Sequence, residues 1–257
     1  NPLMAVTVPY STLGTGVIVL PTKDPKEAIV SVMVLQANGQ PNTSGFGDLN
    51  GNDVVLAAEG RVRTDFFSLT GHQLFGTTFS NKEFTSIDQR LGSIVETRAL
   101  DGKKGSWNIY YNFDQYLYEP KKGADKGVVL FGRLGVSDGD PNFMKFFGSF
   151  GVGGKGVFDS RPRDQFGLGY YFLNITNPTI QGPLQTRSFL RDEYGFEAYY
   201  NFAITPWLQL TPDIQVARGA QKDKISIGTG PLGLLPRIDK QSISTATTLG
   251  LRLKMVF

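Results

Sequence analysis

The chain has 257 residues, with 26 Lys and Arg against 23 Asp and Glu for a formal net charge of +3, and it has no cysteine. Glycine supplies 31 residues, about 12% against an average near 7%, and charged residues make up 19%. These values exclude a disordered chain, a coiled coil, a disulfide scaffold and any site built on thiolates. No apolar run approaches the roughly 18 residues of a membrane-spanning helix, so a helical membrane protein is excluded as well.

Apolar and polar residues alternate with a period of two through most of the chain, which indicates strands with two different faces. Between Tyr194 and Ile204, for example, aromatic and aliphatic residues take every second position, and Glu197 is one of the residues between them. A Thr-Pro turn at 205–206 then begins a second alternating run. We predict strands near 14–20, 28–36, 53–64, 71–80, 106–118, 127–137, 144–154, 165–174, 192–204, 207–217 and 243–257.

The length of these strands favours a membrane barrel. Most have 9 to 14 residues, close to the roughly 9–11 that cross a bilayer at a tilt and longer than the usual five or six. Short turns alternate with long loops, as in outer-membrane barrels, although the connection near 138–143 breaks the alternation. The sequence therefore predicts an all-β fold, an antiparallel transmembrane β-barrel of about 11–12 strands in a single domain over residues 1–257, located in the bacterial outer membrane.

The final predicted strand has the pattern expected at the end of such a barrel. Every second residue counted back from Phe257 is apolar, and Arg252 and Lys254 lie between them. Such a strand places hydrocarbon toward lipid and charge toward a wet lumen. It resembles the C-terminal signature of outer-membrane barrels, which implies that Phe257 is an assembly signal and that the barrel assembly machinery is a partner. Pro212 lies inside another predicted strand, where we expect a bulge or a kink.

Three segments occur in order and carry a family resemblance. They are FGRLG at 131–135, SRPRDQFGLG at 160–169 and TPWLQLTPDIQ at 205–215. In combination they resemble the carbohydrate-selective porins of the OprB family, strongly over residues 125–217, with Thr211 where that family often has Gln. The resemblance implies a barrel of about 16 strands around a sugar-permeable, water-filled lumen.

Strand parity leaves two interpretations open. Bacterial single-chain barrels have an even number of strands, whereas eleven are predicted here. Either a further strand exists, for which Met4–Pro9 is the candidate, or the chain is the C-terminal portion of a family barrel and lacks N-terminal strands.

Polar residues on the inward faces of the predicted strands are the candidates for a function in transport. Carboxylates, guanidinium groups and amides exchange hydrogen bonds with sugar hydroxyls, and the rings of Tyr110 and Tyr199 offer stacking faces. Arg63, Arg252 and Lys254 share the inward pattern. The predicted pore-lining and sugar-binding residues are Glu59, Arg61, Asp114, Arg133, Glu197, Asp213 and Gln215.

Alternatives remain open for Arg133 and for two residues of a short turn. Arg133 lies within the matching motif and is the first candidate for a constriction residue, but it could instead brace the wall by pairing with Glu197 or Asp213. Arg161 and Asp164 fall in a short turn on the periplasmic side, where a structural salt bridge is expected rather than contact with solute.

Enzymatic and nucleic-acid functions are not supported. His72 is the single histidine, and no Gly-x-Ser-x-Gly elbow is present, so we predict no catalytic residues, no metal site and no cofactor. The predicted partners are mono- or oligosaccharides, outer-membrane lipid, lipopolysaccharide beside the basic loop 218–241, and, as an option, further copies of the chain. A plugged or structural barrel and a soluble all-β binding protein remain as alternatives to a sugar-selective diffusion porin.

Overall fold

The structure is a computed structural model that describes residues 2–8, 10–48, 52–123, 125–178, 180–181, 190–229 and 236–255. It is built almost entirely from strands. In chain order they are β1 (Gly14–Val19), β2 (Ala28–Gln36), β3 (Val54–Thr64), β4 (Gly71–Thr85), β5 (Gln89–Arg90), β6 (Gly102–Tyr118), β7 (Gly127–Ser137), β8 (Met144–Lys155), β9 (Gln165–Ile175), β10 (Ile180–Gln181), β11 (Glu193–Ala203), β12 (Leu208–Arg218), β13 (Asp223–Thr229), β14 (Pro236–Ser242) and β15 (Ala246–Met255).

Helical structure is limited to short pieces. One α-helix, α1, covers Leu91–Thr97, and three 3₁₀ turns cover Pro2–Ala5, Phe46–Asp48 and Phe66–Ser68. In the part of the chain that the structure describes, none of the helices has the length and apolar character needed to cross a membrane.

Eleven strands form one antiparallel sheet in the order β1-β2-β3-β4-β6-β7-β8-β9-β11-β12-β15. Strands that follow one another along the chain pair with each other, so the sheet is an up-and-down meander. Short turns join the strands at one end of the sheet. Longer loops join them at the other end, apart from the short connection 138–143, and these loops contain β5, α1, β10 and the β13–β14 hairpin.

The structure confirms the predicted all-β antiparallel architecture and corrects it in detail. β4 extends to Thr85 and β6 begins at Gly102, so both strands reach into the connection predicted as the loop 81–105. The added pairs join Glu83 to Lys104 and Phe84 to Lys103. Charged residues occupy both faces of these strand ends, so the hydrophobic alternation that identifies a strand stops before the pairing does.

The structure corrects the expected strand at Met4–Pro9 and the expected bulge at Pro212. The segment proposed as a further strand at Met4–Pro9 begins within the 3₁₀ turn Pro2–Ala5, and Val8 N–H donates to the Met4 carbonyl; Pro9 itself lies outside the described residues. No bulge occurs at Pro212, because the pairing between β11 and β12 keeps one register on both sides of it and the pairing with β15 runs straight through it. The proline is accommodated without the two-against-one pairing that a bulge requires.

The two faces of the sheet differ in chemistry. One face, here called the outer face, is apolar: Leu249 and Leu251 on β15 are 78% and 72% exposed, and Phe75 and Tyr111 lie with ring centroids 4.6 Å apart. The opposite, inner face carries the charged and amide side chains. A wide, water-exposed apolar face is unfavourable for a soluble protein and suits contact with lipid.

Candidate functional site

The predicted pore-lining residues share the inner face. Arg133 pairs with Asn112, Asn112 with Leu74, and Leu74 with Arg61 across four adjacent strands. Directly paired residues of neighbouring strands point to the same side of a sheet, so Arg133 and Arg61 lie on one side. In the same way Phe131, two residues from Arg133, is linked through two glycines to Glu197 and then to Gln215.

Glu59 belongs to the same face and is engaged by a tyrosine. The Tyr110 side chain extends across Gly76 of the intervening strand and donates its hydroxyl proton to Glu59 Oε2 at 2.9 Å. Tyr110 is only 3% exposed, which corrects the expectation that its ring offers a stacking face, because the ring is already covered. Tyr199, by contrast, is exposed on the inner face.

Arg61 and Arg63 point toward the short-turn end of the sheet. Arg61 Nη2 donates to the Pro25 carbonyl at 2.6 Å. Arg63 pairs with Glu27 at 2.9 Å and with Asp65 at 3.5 Å. Lys122 also donates to Asp65, and this hydrogen bond, together with the charges of Lys122 and Arg63, lowers the pKa of Asp65 against the opposing effect of burial. Both arginines are therefore tied to the turns by contacts that hold three connections together.

Arg133 lies beside an imidazole–carboxylate pair. His72 Nδ1 and Asp114 Oδ2 are 2.9 Å apart, and a recess of about 350 Å³ is lined by both residues together with Arg61, Asn112 and Arg133. Among the described residues, Arg133 forms no hydrogen bond or ion pair, so its guanidinium group faces the recess without a partner. The predicted alternative pairing of Arg133 with Glu197 or Asp213 does not occur.

Asp213 is braced within the wall. Its carboxylate lies 3.6 Å from Arg252 and accepts from Gln215 at 3.3 Å, and its side chain is largely covered. Gln215 also donates to Glu197 at 3.2 Å. Glu197 and Gln215 are exposed to the inner side, whereas Asp213 is held against its neighbours. Lys254 follows Arg252 on the same face of β15, and Phe257, the predicted assembly signal, lies outside the described residues.

Arg161 and Asp164 form an ion pair in the short turn between β8 and β9. Arg161 Nε donates to Asp164 Oδ2 at 2.8 Å, the Tyr200 hydroxyl donates to the same oxygen at 2.9 Å, and Ala203 N–H donates to Oδ1 at 2.9 Å. Burial raises the pKa of Asp164, but these hydrogen bonds outweigh it and leave the pKa below its ordinary value. The carboxylate thus joins the turn to β11.

The inner wall has a feature that alternation alone did not reveal, because aromatic rings lie over glycines of the adjacent strand. A Cβ atom at each of these glycines would come within 2.2 to 2.4 Å of a ring carbon. With a side chain in place of the glycine, the ring could not lie against the wall. The pairs are Tyr110 over Gly76, Phe131 over Gly151, Tyr171 over Gly195 and Tyr199 over Gly167.

The segment 2–8 also lies against the inner face, at the end with the long loops. Leu3 is fully buried between Met144 and Ile175. Its carbonyl accepts from Asn108 Nδ2 at 3.4 Å and from Asn142 Nδ2 at 2.9 Å. Asn108 lies two residues before Tyr110 on β6, so both side chains point to the inner face. The segment therefore occupies space on that side of the sheet, a placement that its short, non-periodic sequence did not signal.

The long loops at the same end contact one another. β10 pairs with β5 in parallel, although the two lie in loops separated by the strands β6 to β9. Asp140, in the connection after β7, accepts from Ser86 Oγ at 2.9 Å and from Ile87 N–H at 2.7 Å. These contacts restrict the loops at the mouth of the inner face.

Within the described residues, no group of three or more His, Cys, Asp or Glu side chains is placed to hold a metal ion. The inner face offers hydrogen-bonding groups and charges distributed along a wall, which suits contact with a passing polar solute.

Comparison with known proteins supplies the deciding observation. Residues 4–257 match the family described as "Carbohydrate-selective porin, OprB family". The chain belongs to the OprB family of carbohydrate-selective porins. The motif resemblance is thereby confirmed, and family membership also confirms the predicted outer-membrane location and the prediction that the protein is not an enzyme.

Individual OprB relatives agree with this assignment. Porin B of Pseudomonas aeruginosa is 30% identical over 163 residues, which cover 55% of this chain and 34% of that protein. The high-pH structure of Pseudomonas putida OprB superimposes with a TM-score of 0.68 at 18% identity, covering 95% of this chain and 58% of that one. This likeness establishes the porin barrel fold. The chain thus spans between a third and three fifths of the length of these relatives.

Proposed function

We propose that the inner face of this OprB-family sheet lines a water-filled channel through which sugars diffuse passively. The observation that carries the proposal is the separation of the two faces. Charged and amide groups from β3, β4, β6, β7, β11, β12 and β15 share one side, while the other side is apolar and exposed. In a barrel this arrangement puts lipid outside and water inside.

The chemistry of the inner face supports sugars as the solutes. A sugar sheds water when it enters a narrow lumen, and its hydroxyls then need both donors and acceptors. Arg133 provides guanidinium donors, Glu197 provides carboxylate acceptors and Gln215 provides both kinds. The remaining predicted lining residues, Glu59, Arg61, Asp114 and Asp213, act in this proposal mainly by holding the wall, since each has a partner within it.

We extend the proposal to the whole assembly. Residues 1–257 form part of a single barrel domain of about 16 strands, as the family resemblance implies. Lipid contacts the apolar face, lipopolysaccharide phosphates lie beside the basic groups near the long loops, and the barrel assembly machinery inserts the protein through its final strand. Arg218, which lies over the Tyr194 ring at 5.6 Å, is one such basic group. Association with further copies of the chain remains part of the proposal.

The test is the current through single channels in a planar lipid bilayer. The detergent-purified intact protein is added to one side, and glucose or maltose is titrated while the ion current is recorded. A pore that binds sugar gives discrete conductance steps that sugar reduces in a saturable manner. The absence of steps would contradict an open channel and support a plugged or structural barrel. Steps that sugar leaves unchanged would contradict sugar selectivity.

Arg133→Ala is the variant that tests the unpartnered guanidinium in the same recordings. Loss of its donors should weaken the sugar block by about threefold to tenfold, which corresponds to one charge-assisted hydrogen bond on an exposed wall. Loss of its positive charge should also shift the ion selectivity toward cations. Arg163→Ala removes an exposed arginine of the β8–β9 turn, for which no partner is found among the described residues, and serves as the matched control. Equal sugar block in Arg133→Ala and wild type would remove Arg133 from the proposed lining.

A further inference from the structure

The inner wall contains an unfilled recess over Gly169. It has a volume of about 360 Å³ and is lined on the inner side by Phe131, Ser149, Tyr171, Glu197 and Gln215. A Cβ atom at Gly169 would have only the Phe150 carbonyl oxygen near it, at 3.9 Å. Gly151, Gly167 and Gly195 on the same face are covered by aromatic rings, whereas Gly169 opens onto free space.

The rings beside this recess lie against the wall of the sheet. Phe131 lies over Gly151, and Tyr171 lies over Gly195, each where a side chain on the glycine would collide with the ring. The Tyr171 hydroxyl also donates to Glu193 at 2.8 Å, which holds that ring in place. Two aromatic surfaces therefore flank Gly169.

Phe131 offers an exposed aromatic surface on the inner face. Its side chain is 38% exposed, and its neighbours on the same side of β7 are Val129 and Arg133. An exposed ring next to polar groups can contact the apolar C–H face of a solute while the polar groups bind its rim. A ring of a passing solute would supply that contact.

Polar groups complete the recess on its far side. Gln215 donates to one oxygen of Glu197, and Glu197 Oε2 and Gln215 Oε1 form no hydrogen bond within the part of the chain that the structure describes. One carboxylate oxygen and one amide oxygen thus remain as acceptors beside the two aromatic rings. Acceptors next to a flat apolar surface match a molecule with apolar C–H faces and a rim of hydroxyl donors.

We propose that this recess is a binding subsite for one pyranose ring, with the sugar's C–H face against Phe131 and Tyr171 and its hydroxyls donating to Glu197 and Gln215. The volume lies at the small end of ligand pockets, which suits a single ring and not a long oligosaccharide. The proposal rests on the proposed function in that both need sugars inside the lumen. Gly169 is the specificity-determining position, because a large side chain there would occupy the space of the sugar ring.

The test measures binding separately from conduction. The dissociation constant of methyl β-D-glucopyranoside is measured by NMR titration of the detergent-purified intact protein and of the variants Gly169→Leu and Gly153→Leu. Gly153 lies on the same face of the neighbouring strand but outside the recess, and a Cβ there also has no contact closer than 3.5 Å. We expect Gly169→Leu to weaken binding tenfold or more and Gly153→Leu to change it less than twofold.

A second pair of variants tests the aromatic contact even if leucine at position 169 prevents folding. Phe131→Leu should weaken binding at least fivefold, and Phe131→Tyr, which keeps the ring, should restore it to within twofold of wild type. Equal affinities for wild type and Gly169→Leu, equal losses in both glycine variants, or no binding by the wild type would each overturn the subsite. A wild-type protein that binds the glucoside but gives no conductance steps would overturn the proposed channel and leave the subsite supported.

Discussion

Asp164 shows how one side chain joins a turn to the wall of the sheet. Its carboxylate, with 5% of the side chain exposed, accepts from Arg161, Tyr200 and the backbone of Ala203. A buried carboxylate with several donors stabilises the fold only while it is ionised. The short spacing in the sequence predicted the ion pair with Arg161. The hydrogen bonds from Tyr200 and Ala203 of β11 could not be predicted, because these residues lie far from Asp164 along the chain.

Asp164→Asn should destabilise the protein, because the amide replaces charge-assisted hydrogen bonds with weaker ones and turns a donor toward Arg161. We expect the free energy of unfolding to fall by about 2 kcal/mol, measured by denaturant titration in detergent. Asp159→Asn changes an exposed aspartate of the same turn and should leave the free energy of unfolding unchanged. Equal effects of the two substitutions would show that the Asp164 contacts contribute nothing.

The same carboxylate predicts a dependence on pH. The pKa of Asp164 is lower in the folded protein than its ordinary value of 3.8, so its stabilising contribution is present above that ordinary value and is lost as the pH falls through the lowered folded pKa. Asp164→Asn should therefore lose less stability than the wild type over that acidic range. An equal dependence of the free energy of unfolding on pH in the two proteins, measured from about pH 5 downward, would contradict this linkage.

At the scale of the elements, hydrophobic alternation predicted all eleven strands of the large sheet, because one face contacts an apolar environment and the other a polar one. Hydrophobic alternation fails to identify a strand where the two faces no longer differ in polarity. The paired ends of β4 and β6, with Glu83 and Lys104, have charges on both sides, and the hairpin of β13 and β14 lies within a long loop. The contacts of aromatic rings with glycines could not be predicted for another reason. They depend on the register between neighbouring strands, which the sequence of a single strand does not contain.

The segment 2–8 is held against the sheet by the apolar contact of Leu3 and by hydrogen bonds. Leu3→Ala should leave a cavity between Met144 and Ile175 and weaken the docking of the segment by about 2–4 kcal/mol. Hydrogen exchange of the backbone amides of residues 4–8 should accelerate accordingly. Met4→Ala shortens a neighbouring side chain that is only partly buried and should have a smaller effect. Unchanged exchange in Leu3→Ala would show that the hydrogen bonds of the Leu3 carbonyl and of the Thr7 hydroxyl with Thr78 hold the segment without the apolar contact.

At the scale of the whole molecule, the sequence predicted the family, the fold and the face on which the polar residues lie. It did not predict which of those residues remain available. Arg61, Asp213 and Tyr110 are engaged within the wall, whereas Arg133 and Glu197 face the inner side with unused hydrogen-bonding capacity. That distinction depends on contacts between strands. We therefore expect only a few residues of the polar wall to contact solute, while the others hold the wall together.

The central claim is that this polar wall lines a channel that favours sugars, and solute flux into liposomes tests it most directly. Liposomes containing the intact protein are placed in isosmotic glucose, maltose or a non-sugar solute of similar size, and the initial rate of swelling is recorded. We expect rapid swelling in the sugars and slower swelling in the size-matched non-sugar, because the polar groups of the wall replace the hydrogen bonds that the sugars lose with water. Equal rates for solutes of equal size would contradict selectivity, and no swelling above protein-free liposomes would contradict the channel itself.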